Sequence, residues 1–251
     1  MTSLNIHIRQ KIYPNGCCAI ENLAFSVQQG EFVAVMGPSG AGKTTLLNLV
    51  AGLDQSLDGE IGFQPNPSAA ERPKTGFMFQ EPRLLPWLTV RQNLELVLPK
   101  KPSAQEATSL EALLTRVGLA DCGALFPGQL SGGMQRRVAL LRDFIVEPDL
   151  LLMDEPFQSL DAPTAKQLRA LLHGLWQRRC PTVLFVTHSL REAISLADRI
   201  VFLSHRPSRV ILDIPVVLPH PRTVEDEAVQ RLHTSLLAQY PQLLEGCNDG
   251  G

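Results

Sequence analysis

The chain has 251 residues, enough for one large α/β domain or two small ones, and 44% of them are hydrophobic. A formal net charge of −2 and a pI of about 6.3 argue against a nucleic-acid surface or a polybasic membrane anchor. No stretch approaches the ~20 apolar residues that span a bilayer, Met1–Asn5 shows no secretory signal, and Cys17, Cys18, Cys122, Cys180 and Cys247 lack metal-ligand spacing, so cytosolic free thiols are expected.

Val33–Met36 is a short apolar run that reads as a buried strand. It leads into Gly37-Pro38-Ser39-Gly40-Ala41-Gly42-Lys43-Thr44, with Thr45 following, and Lys43–Ala51 has helical patterning up to Gly52. Strand, glycine loop and helix form the context a phosphate-binding loop requires. The glycines let backbone N–H groups surround phosphate oxygens, Lys43 neutralises β/γ charge, and Thr44 offers a hydroxyl to Mg²⁺. Pro65–Pro73 reads as a polar loop. Thr89-x-x-Gln92 and Ser103-x-x-Glu106 have capping-box spacing, which predicts helices over 90–118 with a joint at Pro99 and Pro102.

Leu130-Ser131-Gly132-Gly133-Met134-Gln135 then opens another helix. Ser131 suits the N-cap, the glycines allow close backbone approach, and the helix start adds its positive dipole end, which together make an anion cradle. An ordinary capped helix is the competing reading. Leu150–Met153 is an apolar strand that delivers Asp154 and Glu155 to its C-terminal end, where ligands bind in open α/β sheets. Asp154 suits the Mg²⁺ shell, and Glu155 suits orienting or deprotonating an attacking water. Thr182–Val186 reads as the next strand, ending at Thr187 and His188; a lone histidine is more often structural. Ser189-x-x-Glu192 caps a helix to about Asp198, Ile200–Leu203 and Val210–Ile214 read as strands, Glu225–Tyr240 as an amphipathic helix, and Asn248–Gly251 as a frayed end.

In this order the motifs resemble those of the ATP-binding cassette (ABC) family, over about Tyr13 to Arg222. The resemblance implies an α/β fold: a P-loop NTPase (RecA-like) core with an antiparallel β subdomain and an inserted α-helical subdomain. It implies a cassette over 1–222, with core and β subdomain at about 1–86 and 148–205, a helical subdomain at about 87–147, and a C-terminal helix and tail at 223–251. It also implies ATP and Mg²⁺ as cofactors. Tyr13 would stack on adenine, although by residue type alone it is more often a packing residue. Gln80 would touch Mg²⁺ and sense the transport partner, His188 would bridge the γ-phosphate and Glu155, and Ser159-Leu160-Asp161 would cross a dimer seam. Ser131, Gly132, Gly133 and Gln135 would cover the nucleotide of a second ABC subunit, a homodimer partner.

Leu84–Val90, Asp154-Glu155-Pro156-Phe157, Arg206-Pro207-Ser208-Arg209-Val210 and Leu218-Pro219-His220-Pro221-Arg222 resemble importer ATPases for nitrate, taurine and alkanesulfonates. Importers of thiamine-precursor pyrimidines share much of this wording, an exporter cassette is a further alternative against which Phe157 argues mildly, and generic packing residues are the plainer reading. The resemblance implies an ATPase on the cytoplasmic face of the membrane, held there by permease subunits and served indirectly by a solute-binding protein, with no nucleic-acid partner. Glu81–Leu130 is too short for the coiled coils of chromosome-type relatives. Exposed apolar residues after Gln80, Trp87 among them, suggest a groove for a permease helix, while Leu84 and Leu85 could equally pack inward. Asp143 stands where a small apolar residue is usual, and Gln158 and Pro163 also depart from the family pattern.

Overall fold

The computed structural model describes residues 2–64, 72–98 and 104–241, the side chains of 104–109 excepted. Residues 65–71 of the expected polar loop, the Pro99–Pro102 joint, the Ser103 cap and the Asn248–Gly251 end lie outside the described residues. In chain order the elements begin with strands β1 (Ser3–Ile12), β2 (Cys18–Val27) and β3 (Phe32–Met36), helix α1 (Lys43–Ala51), and strands β4 (Asp58–Gln64) and β5 (Thr75–Met78). Helices α2 (Val90–Glu95), α3 (Ala104–Arg116) and α4 (Gly132–Ile145) precede strand β6 (Leu150–Asp154) and helix α5 (Ala162–Arg179). Strand β7 (Thr182–Val186), helix α6 (Leu190–Leu196), strands β8 (Arg199–Leu203) and β9 (Val210–Pro215) and helix α7 (Glu227–Gln239) follow. One compact unit comprises residues up to Thr75, Asp149–Glu155 and Cys180 onward; the other comprises Gly76–Pro148 and Pro156–Arg179.

The first unit contains an antiparallel sheet of order β2-β1-β4. In β1, Leu4, Ile6 and Ile8 are buried while Asn5, His7 and Arg9 are exposed, the period of two expected of a half-buried strand. The register with β4 shifts between Ile8 and Gln10, a bulge after which the alternation changes phase, so that Lys11 faces inward and Ile12 outward. Lys11 Nζ donates to Ser56 O at 2.6 Å and pairs with Asp54 at 2.6 Å; this bond holds the Asp54 carboxyl below its ordinary pKa.

The unit's other sheet runs β6-β7-β3-β8-β9. Pairings β6–β7, β7–β3 and β3–β8 are parallel, and β9 joins β8 antiparallel. Every residue of β3, β6 and β7 is buried, which explains why they read as continuous apolar runs rather than alternating ones. Because β6, β7 and β3 are parallel neighbours, their C-terminal ends place Asp154-Glu155, Thr187-His188 and Gly37 side by side.

The second unit packs helices around Val90, Leu94, Leu114, Leu119, Val138 and Leu141. Helix α2 starts at Thr89 with both halves of its capping box formed. Asn93, fully buried, fixes the preceding loop: its Oδ1 accepts the Leu85 N–H at 2.8 Å, and its amide donates to Leu88 O at 3.1 Å and Thr89 O at 3.0 Å.

Asp143, on α4, is buried with its Oδ2 unpartnered. Burial pushes its carboxyl up from 3.8 to about 7, against a smaller opposing pull from Arg142. The unfolded carboxyl ionises near 3.8 and the folded one near 7. Between these values the native chain holds a proton that the unfolded chain has released. This group's contribution to stability therefore falls as pH rises from about 4 to about 7, and levels off above. Asp143→Asn is expected to remove that slope and to stabilise the chain at pH 8 by on the order of 1–3 kcal/mol. Denaturant unfolding of both chains across pH 4.5–8.5 checks it; identical slopes would exclude ionisation of Asp143 as their cause.

Candidate active site

The phosphate loop connects the end of β3 to α1. Gly37 is required by close approach, since a Cβ there would lie 3.0 Å from Leu203 O and 3.2 Å from Leu203 Cβ. Gly40 and Gly42 have φ of 76° and 84°, which favours glycine. Gly42 is the N-cap of α1 and makes no side-chain capping bond, so the first N–H groups of the helix remain available to an anion. Lys43, mostly buried, donates its ammonium to Gly37 O at 2.7 Å and Pro38 O at 3.0 Å. An incoming phosphate would compete with these carbonyls for the lysine.

Thr44 Oγ1 donates to Asp154 Oδ2 at 2.8 Å, bringing the predicted metal-shell pair together. A hydroxyl and a carboxylate are the hard oxygen donors that suit Mg²⁺, which takes few protein ligands beside substrate phosphates. Glu155 has φ of 46°, a strained conformation for a non-glycine residue. Its N–H donates to Val186 O at 3.0 Å, and its Oε2 lies 3.0 Å from His188 Nδ1. The Glu155 side chain is 18% exposed and that of His188 41%, so the pair is partly open to water. Ser189 caps α6 by accepting the Glu192 N–H at 3.3 Å. The Glu192 carboxylate accepts the Thr187 hydroxyl at 2.8 Å, and Thr187 Oγ1 in turn accepts the Ser189 N–H at 3.1 Å. Tyr13 OH is 2.8 Å from Thr45 Oγ1, and the Lys11 ammonium lies 4.9 Å from the Tyr13 ring centre.

The second unit carries the other predicted residues. Ser131 caps α4 by accepting the Met134 N–H at 3.3 Å. Gln135 Nε2 donates to Pro127 O at 2.9 Å and Leu130 O at 3.4 Å, so its amide shapes the loop entering the helix. Asp161 accepts both the N–H and the hydroxyl of Thr164, at 2.9 and 2.8 Å, and these bonds hold its carboxyl below the usual range. The Gln80 amide donates to Gln158 Oε1, so Gln158, a departure from the family pattern, is the partner of the residue expected to sense transport. Arg136 carries no expectation from sequence. Its guanidinium, buried, donates to Pro156 O and Gln158 O at 2.8 Å each, and its place directly after Gln135 is the only signal that points to it. Trp87 is 69% exposed, whereas Leu84 packs on the helical core.

The family model for ABC transporters matches residues 20–158. The chain belongs to the ABC transporter family. As an ABC protein it is an ATP-hydrolysing cassette. An aliphatic sulfonates import ATP-binding protein of Bacillus licheniformis is 38% identical over 242 residues, 95% of this chain and 94% of that protein. A putative ATP-binding protein of Brucella abortus is 42% identical over 210 residues, covering 83% and 81%. Among solved structures, an ATP-binding cassette in a dimeric post-hydrolysis state bound to ADP and Pi matches with TM-score 0.73 and 29% identity, over 87% of this ABC chain and all of that one.

Proposed function

We propose that the chain is the ATPase subunit of an importer for aliphatic sulfonates or a similar small solute such as nitrate or taurine. One observation carries the catalytic part of this reading: three neighbouring parallel strands end in a phosphate loop, a Thr44–Asp154 pair and a Glu155–His188 pair. The solute class rests on the sulfonate-importer relatives, which align over nearly the whole chain. Mg²⁺, when bound, neutralises phosphate charge; Thr44, Asp154 and Gln80 are the residues proposed to hold it. Tyr13 and Gly37–Thr45 hold the nucleotide within one subunit. Ser131–Gln135 and Asp161 act across the seam of a dimer, a reading supported by the dimeric cassette of similar fold. The cassette proper is 1–222, with a helical insert at 87–147 and a C-terminal extension at 223–251.

The proposed site of action is the cytoplasmic face of the membrane. Among the described residues no helix is long and apolar enough to cross one; permease subunits are the proposed attachment. The permease-facing surface is the loop after Gln80, where Asn93 fixes the backbone and Trp87 stands out from it. Reconstituting the chain with an alkanesulfonate-importer permease should give ATP-driven uptake of an alkanesulfonate. Arg83→Glu and Trp87→Ala should preserve ATP binding by the free chain and lower uptake by at least roughly tenfold, as expected for anchor residues at a docked surface. Normal complex assembly and uptake in both variants would remove this loop from the coupling route.

A further inference from the structure

We propose that Arg206 is a positioning residue of the nucleotide site, clamping the phosphate loop to the turn that carries Tyr13. This rests on the reading that the β3–α1 loop holds ATP. Arg206 Nε donates to Gly40 O at 3.1 Å, and Arg206 Nη1 donates to Cys17 Sγ at 3.2 Å. The two acceptors belong to different halves of the proposed site. Gly40 lies in the phosphate loop. Cys17 closes the Tyr13 turn, where its carbonyl accepts the Tyr13 N–H at 2.9 Å and the Tyr13 carbonyl accepts the Gly16 N–H at 2.9 Å.

The chemistry fits a clamp. A phosphate loop directs N–H groups at the anion, leaving carbonyl dipoles such as that of Gly40 to be satisfied elsewhere. A guanidinium has five donors in a rigid fork, so one group can reach a carbonyl and a thiol while holding both at a fixed separation. That separation matters to a ligand with a base at one end and phosphates at the other. Free polyphosphate has no use for it.

The segment bearing Arg206 is anchored independently of its guanidinium. Buried Ser208 donates its N–H and its hydroxyl to Ala19 O, at 3.0 and 3.2 Å, and its carbonyl accepts the Glu21 N–H at 3.1 Å. Arg209 pairs with Glu21 at 3.1 Å. Ser208 also approaches the phosphate loop, since a Cβ on Gly42 would lie 3.4 Å from its Oγ. Removing the Arg206 side chain should therefore open the clamp and leave the segment folded.

The test compares binding of ATP and of inorganic tripolyphosphate, both with Mg²⁺, to the purified full chain by calorimetry. Arg206→Ala should raise the Kd for ATP roughly tenfold, the scale of losing hydrogen bonds from a charged donor, and change that for tripolyphosphate less than about threefold. Arg206→Lys should recover part of the loss, and Cys17→Ala, which removes one of the two contacts, should fall between. Equal weakening of both ligands would overturn the clamp in favour of a general effect on the phosphate loop. Unchanged ATP affinity in Arg206→Ala would overturn it outright. A parent chain that binds tripolyphosphate and not ATP would sink the ATP reading itself, and the clamp with it.

Discussion

Glu155→Gln is expected to bind ATP like the parent chain and to hydrolyse it on the order of 10²–10⁴-fold more slowly. The expectation comes from how Glu155 is held. Strand β6 is buried along its whole length and ends at Asp154, so Glu155 is the first residue free to leave the sheet. Its N–H is still tied to Val186 O, and φ of 46° turns its side chain toward His188. Holding a glutamate in this conformation costs about 1–3 kcal/mol, which the strand pairing around it must offset. Glutamine has the same shape and can keep the contact to His188, but it cannot take a proton from water. Binding and hydrolysis should therefore separate, and the variant should accumulate an ATP-dependent dimer on a sizing column. His188→Ala should slow hydrolysis less steeply, since it leaves the carboxylate in place. ATPase activity of Glu155→Gln within about threefold of the parent, with the permease present, would take Glu155 out of the chemical step.

The parts of this site legible in sequence are those in which one short segment carries both the chemistry and its structural context. The β3 run, the glycine loop and α1 are contiguous, and they form with the expected helix bounds. The same holds for β6 and its acids, and for Ser131 at the start of α4. Strands β1, β2 and β4 do not stand out individually. In β1 the alternation breaks at Arg9–Gln10, where the register with β4 shifts, and the changed phase buries Lys11 and exposes Ile12, contrary to what hydropathy alone would assign. Helix α5 is equally hard to see. Its buried residues Ala165, Leu168, Leu172 and Trp176 follow helical spacing, but Pro163, Gly174 and the surrounding charges dilute the pattern. Contacts between residues far apart in the chain are not legible at all. Arg206 on Gly40 spans 166 positions and Gln80 on Gln158 spans 78, and only folding brings such groups together. Asp143 stands out in sequence as an oddity of type; its meaning depends on the burial around it.

Lys43→Ala and Gly132→Asp should divide the nucleotide site into its two proposed halves. Lys43 is buried beside its own loop, with its ammonium on Gly37 O and Pro38 O. Truncating it removes the positive charge that would move onto the phosphates, so ATP affinity of the isolated chain should fall by roughly 10- to 100-fold. Gly132 opens the signature helix in open space, with no atom within 4 Å of where a Cβ would sit. An aspartate fits there without disturbing the helix and puts a carboxylate where the reading places the partner's γ-phosphate. Gly133, one residue on, is the poorer probe. A Cβ there would come within 2.4 Å of Thr164 Cγ2, and Thr164 supplies both bonds to Asp161, so its substitution would mix charge repulsion with local rearrangement. For Gly132→Asp, ATP binding by the single chain should stay close to that of the parent. Dimerisation and hydrolysis should fall by roughly 100-fold or more, since two like charges meet in a closed interface. Equilibrium binding, sedimentation in Mg²⁺-ATP and turnover, measured on both variants, make the comparison. If Gly132→Asp lost nucleotide affinity as Lys43→Ala does, with its thermal unfolding unchanged, the signature would belong to the same subunit's nucleotide. The two-chain site would then be wrong.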